Sequence, residues 1–194
     1  MRVLAVLAHP VATSTSGHLF YEAVKALQLH GAAVDVLDLY QHADRIPFLS
    51  FPEPGKPFES VFANVPFYWE NKERFMAADR LLIVYPVWWY AVPAIMKAWM
   101  DLITNYAWAH TKGPYGNAKH HIKKALIVNT ADMSWWHRLF GSRNSATEMV
   151  TESCKYLGIG SIKTYEVHKA RKITAHDKER HTQKVLRLCS WLLQ

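Results

Sequence analysis

The chain has 194 residues, enough for one domain with a full core and too few for two of ordinary size. Half the residues are apolar and a fifth are charged, which is ordinary for a folded soluble protein and excludes a low-complexity chain. The formal charge of +7, from 23 basic and 16 acidic side chains, attracts acidic ligands. The basic residues are spread and stand beside no nucleic-acid motif, so a solvated basic surface and no nucleic-acid partner are expected. Cys154 and Cys189 are the only cysteines. They neither build a disulfide framework nor match metal-ligand spacing, so no metal is expected and the reducing cytoplasm is the natural compartment.

Val3 to Ala8 is a continuous apolar run, the pattern of a strand buried on both faces. Arg2 followed by apolar residues also resembles the start of a signal peptide, but His9-Pro10 ends the run too early, and a strand is the simpler account. Thr13-Ser14-Thr15-Ser16 follows, four small polar residues. Leu19, Phe20, Ala23, Val24 and Leu27 then recur with helical spacing to about His30, and Gly31 stands where helices end in a left-handed residue. Val34 to Leu39 is a second strand. Strand, helix, strand is the unit that builds parallel sheets.

Tyr40 to Pro66 has no period and carries prolines at 47, 52, 54, 57 and 66. So long a loop belongs to a binding site or an interface. A helix is expected from Phe67 to Ala78. Leu81 to Tyr85 is a third buried strand, ended by Pro86. Val87-Trp88-Trp89-Tyr90 then sets three large rings at a strand's carboxyl end, where open α/β sheets take ligands. From Pro93 a helix runs to about Tyr106. The two prolines and Lys97 interrupt the apolar stretch from Leu81 to Met100, so a membrane span is not expected.

Gly113-Pro114 and Gly116-Asn117 are turn signals, and His120-His121 reads as a loop. Ala125 to Asn129 is a fourth strand, followed by a loop through Met133 to His137. Ser145 with Glu148 forms a capping box that opens a helix to about Leu157, ended by Gly158 and Gly160. Ser161 to His168 alternates as an outer strand. Thr174 and Asp177 resemble a second cap, and the last helix carries Val185, Leu188, Trp191 and Leu192 on one face. Five strands alternating with five helices predict one doubly wound α/β domain over residues 1–194, a five-stranded parallel sheet with helices on both faces.

In such a sheet the loops after the first, third and fourth strands meet at one crevice. Hydroxyls, unpaired N–H groups and a helix dipole make Thr13 to Ser16 an anion site, with phosphate the commonest occupant. Plain helix capping by Thr15 or Ser16 is the other reading. Neither G-x-x-x-x-G-K nor G-x-G-x-x-G occurs, which argues against a nucleoside-triphosphate loop and an ordinary dinucleotide fold. Phosphate donors here, with aromatic or backbone walls at Pro86 to Tyr90 and at Asn129, Thr130, Ala131 and Asp132, describe a site for a phosphorylated flat ring. Flavin mononucleotide (FMN) fits that description.

Leu7-Ala8-His9-Pro10, Ala77-Ala78-Asp79, the block from Pro86 to Ala94 with Lys97, Trp99 and Asp101, and Lys112-Gly113-Pro114 carry a resemblance. Over nearly its full length the chain resembles the flavodoxin-like NAD(P)H:quinone oxidoreductase family. The resemblance implies a flavodoxin-like fold and a bound FMN or flavin adenine dinucleotide (FAD), with FMN favoured because no adenine pocket can be assigned. It implies NADPH or NADH as electron donor and a quinone-like small-molecule acceptor, two electrons passing through the flavin. His9, Thr13, Ser14, Thr15 and Ser16 would lie at the flavin phosphate region. The ring would lie on the backbone of Pro86, Val87, Trp88, Trp89 and Tyr90, with Trp108 helping to shape the substrate slot.

The third loop departs from the family pattern of a threonine followed by paired glycines. Thr130-Ala131-Asp132 stands there, and Asp132 adds bulk and negative charge near the pyrimidine edge. The family's histidine and tyrosine that assist hydride transfer have no secure match; His137 is the catalytic candidate by position, and an exposed loop histidine is the other reading. A homodimer with its active sites at the interface is expected from the Tyr40 to Pro66 loop together with Phe67, Tyr68, Trp69 and Trp108. The alternative is that this loop folds over its own core. On the same fold, an electron carrier or an accessory subunit, for example of a potassium-efflux system, is the alternative to an enzyme.

Overall fold

Strands that read as unbroken apolar runs need cover on both faces, and the computed structural model shows how they obtain it. It describes residues 1–48, 50, 53–56, 58–108, 120–132 and 145–194. The strands are β1 (Arg2–Leu7), β2 (Ala33–Asp38), β3 (Arg80–Pro86), β4 (Lys124–Thr130) and β5 (Ser161–Val167). They form one sheet in the order β2-β1-β3-β4-β5. Every pairing is parallel. The helices among the described residues are α1 (Thr15–Leu29), α2 (Pro66–Ala77), α3 (Ala94–Trp108), α4 (Ser145–Tyr156) and α5 (Ala175–Leu193). None is long and apolar enough to cross a membrane.

Side chains alternate along each strand and so divide the core in two. Val3, Ala5 and Leu7 of β1 and Leu82 and Val84 of β3 face α1 and α5, meeting Leu19, Phe20, Leu27, Val185 and Leu192. Leu4, Val6, Leu81, Ile83 and Tyr85 face the other way, against Phe67 and Phe75 of α2, Met96 and Trp99 of α3, and Val150 and Cys154 of α4. β5 is an edge strand with only Val167 fully covered, which is why its sequence alternates. Gly31 closes α1 at φ +82°, as its position predicts. Thr174 caps α5 by accepting from the Asp177 N–H at 3.1 Å.

The stretch expected to be irregular, Tyr40 to Pro66, carries two short 3-10 turns, Leu39–His42 and Phe58–Phe62. Its Ile46 and Phe62 are buried in the same cluster as Phe67 and Tyr68. The Phe62 and Tyr68 rings stack at 4.9 Å. Phe67 and Tyr68, expected among the rings left over for a subunit interface, are therefore interior residues; helical spacing turns them toward the core, while Trp69 stays exposed. Among the described residues the large exposed rings are Phe48, Trp69, Trp88, Trp89, Tyr90 and Tyr21.

Trp99 is the largest fully buried side chain among the described residues and ties α3 to α2. Its indole N–H donates to Asn71 Oδ1 at 3.1 Å, and Asn71 Nδ2 donates to the Phe67 carbonyl at 2.8 Å. Replacing Trp99 by alanine removes the ring and leaves a buried amide oxygen without its donor. Trp99→Ala should therefore lose about 3–5 kcal/mol of stability in urea unfolding. A loss below about 1 kcal/mol would show that the core closes over the gap.

Candidate functional site

Because all five strands run the same way, their carboxyl ends lie at one edge, and the chain leaves β1 toward β2 on one side and reaches β3 on the other. That divergence opens a crevice. A cavity of about 800 Å³ occupies it.

One wall is the loop from β1 into α1. Ser14, rather than Thr15 or Ser16, is the N-cap: its hydroxyl accepts from the Gly17 N–H at 3.1 Å, and its carbonyl accepts from the His18 N–H at 2.8 Å. A Cβ on Gly17 would lie 2.0 Å from the Ala12 carbonyl oxygen, so only glycine lets the loop pass this close to the helix. Thr15 Oγ1 donates to the Ala170 carbonyl at 3.2 Å, and Ser16 Oγ pairs with Thr130 Oγ1 at 2.7 Å. These hydroxyls hold loops together. The backbone N–H groups of Thr15 and Ser16, which precede the first intrahelical bond, are the donors placed for an anion.

His9 lines the same wall. Its Nδ1 accepts from the Val11 N–H at 3.0 Å, which leaves the ring proton on Nε2, and burial holds its pKa below the usual histidine value. The ring stands edge-on to Trp88, with centroids 5.9 Å apart.

The second wall follows β3. Val87 N–H donates to the Thr130 carbonyl at 2.8 Å, and Trp88 and Ala91 exchange two backbone hydrogen bonds of 3.0 Å around a two-residue turn. The central residues, Trp89 and Tyr90, have φ of 51° and 63°. A turn with both central φ positive favours Asn-Gly, and aromatic residues there cost roughly 1–2 kcal/mol each. Trp89 stands 94% exposed where it lines the cavity. The Ser145 hydroxyl, expected to act in a capping box, donates to the Tyr90 carbonyl and ties this turn to α4.

The third and fourth walls follow β4 and β5. Ala131 N–H donates to the Val167 carbonyl at 2.8 Å, and Ala170 N–H donates to the Ala131 carbonyl at 3.1 Å. Lys169, at φ 54°, turns the chain into a short 3-10 segment, Ala170–Lys172. Asp132 faces Arg171 there, with Oδ2 3.5 Å from the guanidinium Nε and Oδ1 accepting the Arg171 N–H at 3.4 Å.

Of the residues expected at the site, His9, Thr13, Ser14, Thr15, Ser16, Pro86, Val87, Trp88, Trp89, Thr130, Ala131 and Asp132 line this cavity. Tyr90 does not. Nor does Asn129, which alternation turns to the opposite sheet face, where its Nδ2 donates to Thr147 Oγ1 at 2.8 Å. His137 and Lys112-Gly113-Pro114 lie outside the described residues, as does the side chain of Trp108. Ala170, Arg171 and Ile173 line the cavity too and were missed. The signal for them was present: a basic run, Lys169 to Lys172, directly after a strand whose neighbour was already assigned to the crevice.

A parallel sheet of this order with a cavity at the β1/β3 divergence is the flavodoxin-like arrangement. The chain belongs to the flavodoxin-like fold family, whose model matches residues 1–190. It is similar to NAD(P)H dehydrogenase [quinone] 1 from Cavia porcellus, 33% identical over 138 residues, which are 61% of this chain and 50% of that protein. Among solved structures it resembles an NAD(P)H:quinone oxidoreductase from Methanothermobacter marburgensis, with a TM-score of 0.78 at 23% identity over 100% of this chain and 98% of that one. It also resembles an FMN-dependent NADH-azoreductase from Bacillus anthracis in complex with FMN, with a TM-score of 0.76 at 16% identity over 100% and 99% of the two chains. The chain spans between 50% and 61% of the length of the leading curated relatives it matches.

The strained turn gives a test independent of any ligand. Asparagine tolerates the left-handed region, and the exposed Trp89 ring has little burial to lose, so Trp89→Asn should raise stability by about 1 kcal/mol. Thermal unfolding reads this directly; a lowered melting temperature would mean that the indole packs and the turn is not strained.

Proposed function

We propose that the chain is a flavin-dependent NAD(P)H oxidoreductase that passes two electrons from NADH or NADPH to a quinone or similar flat acceptor, with FMN as its flavin. The observation that carries this reading is a single cavity in which the N-terminus of α1 faces the proline-aromatic wall after β3. The residues fit such a ligand. Thr15 and Ser16 offer backbone N–H groups at the positive end of a helix, where a phosphate is favoured. Gly17 keeps the approach narrow. The names of the quinone- and azo-reducing relatives support the same class of chemistry.

When bound, the flavin supplies the redox chemistry, accepting hydride from the nicotinamide and delivering electrons to the acceptor. The chain's own part is binding, orientation and exclusion of water. Neutral His9 presents an Nε2–H donor without adding charge. The backbone from Pro86 to Trp88 supplies a wall for the ring, and Trp88 and Trp89 supply flat apolar faces for nicotinamide or acceptor. Asp132 and Arg171 close the wall on the far side.

The exposed rings of Trp69, Trp88, Trp89 and Tyr90 support a homodimer whose interface borders the cavity. The free thiols Cys154 and Cys189 support a cytoplasmic location. The whole of residues 1–194 forms one flavin-binding domain in this reading.

Mass measurement of the cofactor released from purified protein should give FMN, and steady-state oxidation of NADPH should depend on added quinone. Colourless protein that takes up neither FMN nor FAD would overturn the reading. A monomeric mass at micromolar concentration, with activity undiminished on dilution, would overturn the dimer.

A further inference from the structure

We propose that Arg171 is the counter-charge for the phosphate of the bound flavin nucleotide, and that Asp132 tethers the same guanidinium and so competes with the phosphate for it. The inference rests on the flavin reading above.

The charges lining the cavity lead to it. Among the described residues lining the cavity, Arg171 is the one fixed cation and Asp132 the one carboxylate, while His9 is held toward its neutral form by burial. A phosphate monoester brings a charge of about −1.5 to −2, and a helix N-terminus answers roughly half of one charge. A cation would answer the remainder: the Thr15 hydroxyl is engaged with the Ala170 carbonyl and that of Ser16 with Thr130, while Ser14, accepting from the Gly17 N–H, keeps a neutral O–H to donate.

Arg171 is attached where such a cation is needed. Thr15, in the first turn of α1, donates to the Ala170 carbonyl at 3.2 Å, so the residue before Arg171 is bonded to the anion loop itself. Ala170 N–H donates in turn to the Ala131 carbonyl at 3.1 Å, which brings Asp132 alongside. The carboxylate meets Arg171 through Nε at 3.5 Å and through the backbone N–H at 3.4 Å. Only the first of these involves the guanidinium, whose two terminal nitrogens carry four further N–H donors.

The Arg171 and Asp132 side chains are 84% and 51% exposed. An ion pair so solvated holds its partners weakly. Asp132 therefore positions Arg171 without fixing it, and an anion arriving at the Thr15 and Ser16 N–H groups can draw the guanidinium over. The charge that Asp132 adds to this loop lowers nucleotide affinity by occupying the arginine, not by meeting the ring.

Riboflavin has the same ring as FMN without the phosphate, so the pair of ligands isolates the proposed contact. Fluorescence quenching on full-length protein stripped of flavin should give dissociation constants for both. Arg171→Gln should weaken FMN about tenfold while leaving riboflavin within about twofold, and Arg171→Lys should recover part of the loss. Asp132→Asn should tighten FMN about threefold or more with riboflavin unmoved, and the double variant should match Arg171→Gln alone. An FMN-to-riboflavin ratio unchanged by Arg171→Gln would overturn the counter-charge. Persistence of the Asp132→Asn gain in the double variant would overturn the tether, since Asp132 would then act on the ligand directly. Wild-type protein that binds neither ligand would overturn the flavin reading and this inference with it; binding of both with an unchanged ratio would overturn this inference alone.

Discussion

Parallel pairing is the constraint from which the site follows. Evenly slanted bonds between strands running the same way demand a long crossover after each strand, and the crossovers here are helices that cover both faces. Covered on both sides, the strands carry unbroken apolar runs. Aligned in direction, they deliver every outgoing loop to one edge. The register is tight enough that Pro86 pairs with Thr130 and Thr130 with Val167, so the chain leaves β3, β4 and β5 at one level. The loops then continue the ladder beyond the sheet: Val87 to Thr130, Ala131 to Val167, Ala170 to Ala131. The cavity wall is in this sense an extension of the sheet, which gives it a rigidity that separate loops would lack.

The period of two assigns adjacent residues to different tasks at that edge. Thr130 points toward α1 and bonds Ser16, locking the anion loop to the centre of the sheet. Asn129 points the other way and joins a buried polar chain, donating to Thr147, whose hydroxyl donates to Glu166 Oε1 at 2.9 Å. Tyr85, Asn129 and Glu166 share one register row across three strands. Burial there pushes the Tyr85 hydroxyl well above the usual tyrosine range, so it stays protonated. A polar row in this position orders α4 against the strand ends without entering the cavity.

How much of this was legible in the sequence depended on the range of the interaction. Local patterns carried the strands, the helices and their order, because apolar runs, Gly31 and the Thr174 cap act within a few residues. The three loops of the crevice were legible for the same reason. The Ser14 cap was misplaced by one or two positions because four consecutive hydroxyl residues offer equivalent caps, and only the turn closed by Ser14 N–H to the Val11 carbonyl distinguishes them. The interior places of Phe67 and Tyr68 were missed because Phe62, the ring that Tyr68 stacks on, comes from a segment with no period. Trp89 and Tyr90 in left-handed backbone run against propensity, and no sequence rule predicts a strain that the surrounding bridge imposes.

Asp132 shows the limit most clearly. By itself it reads as an intrusion, a charge and extra bulk in a loop where the resembled family carries glycine. Its partner, Arg171, is separated from it by 39 positions, and the two meet only because β4 and β5 pair in register and the Ala131 and Ala170 peptides bond beyond the strand ends. The loop pair is then neutral as a unit. A residue that breaks a family pattern at a site can thus be the visible half of an ion pair. The other half sits on the neighbouring strand's loop, where sheet order rather than sequence distance decides which residues share a charge.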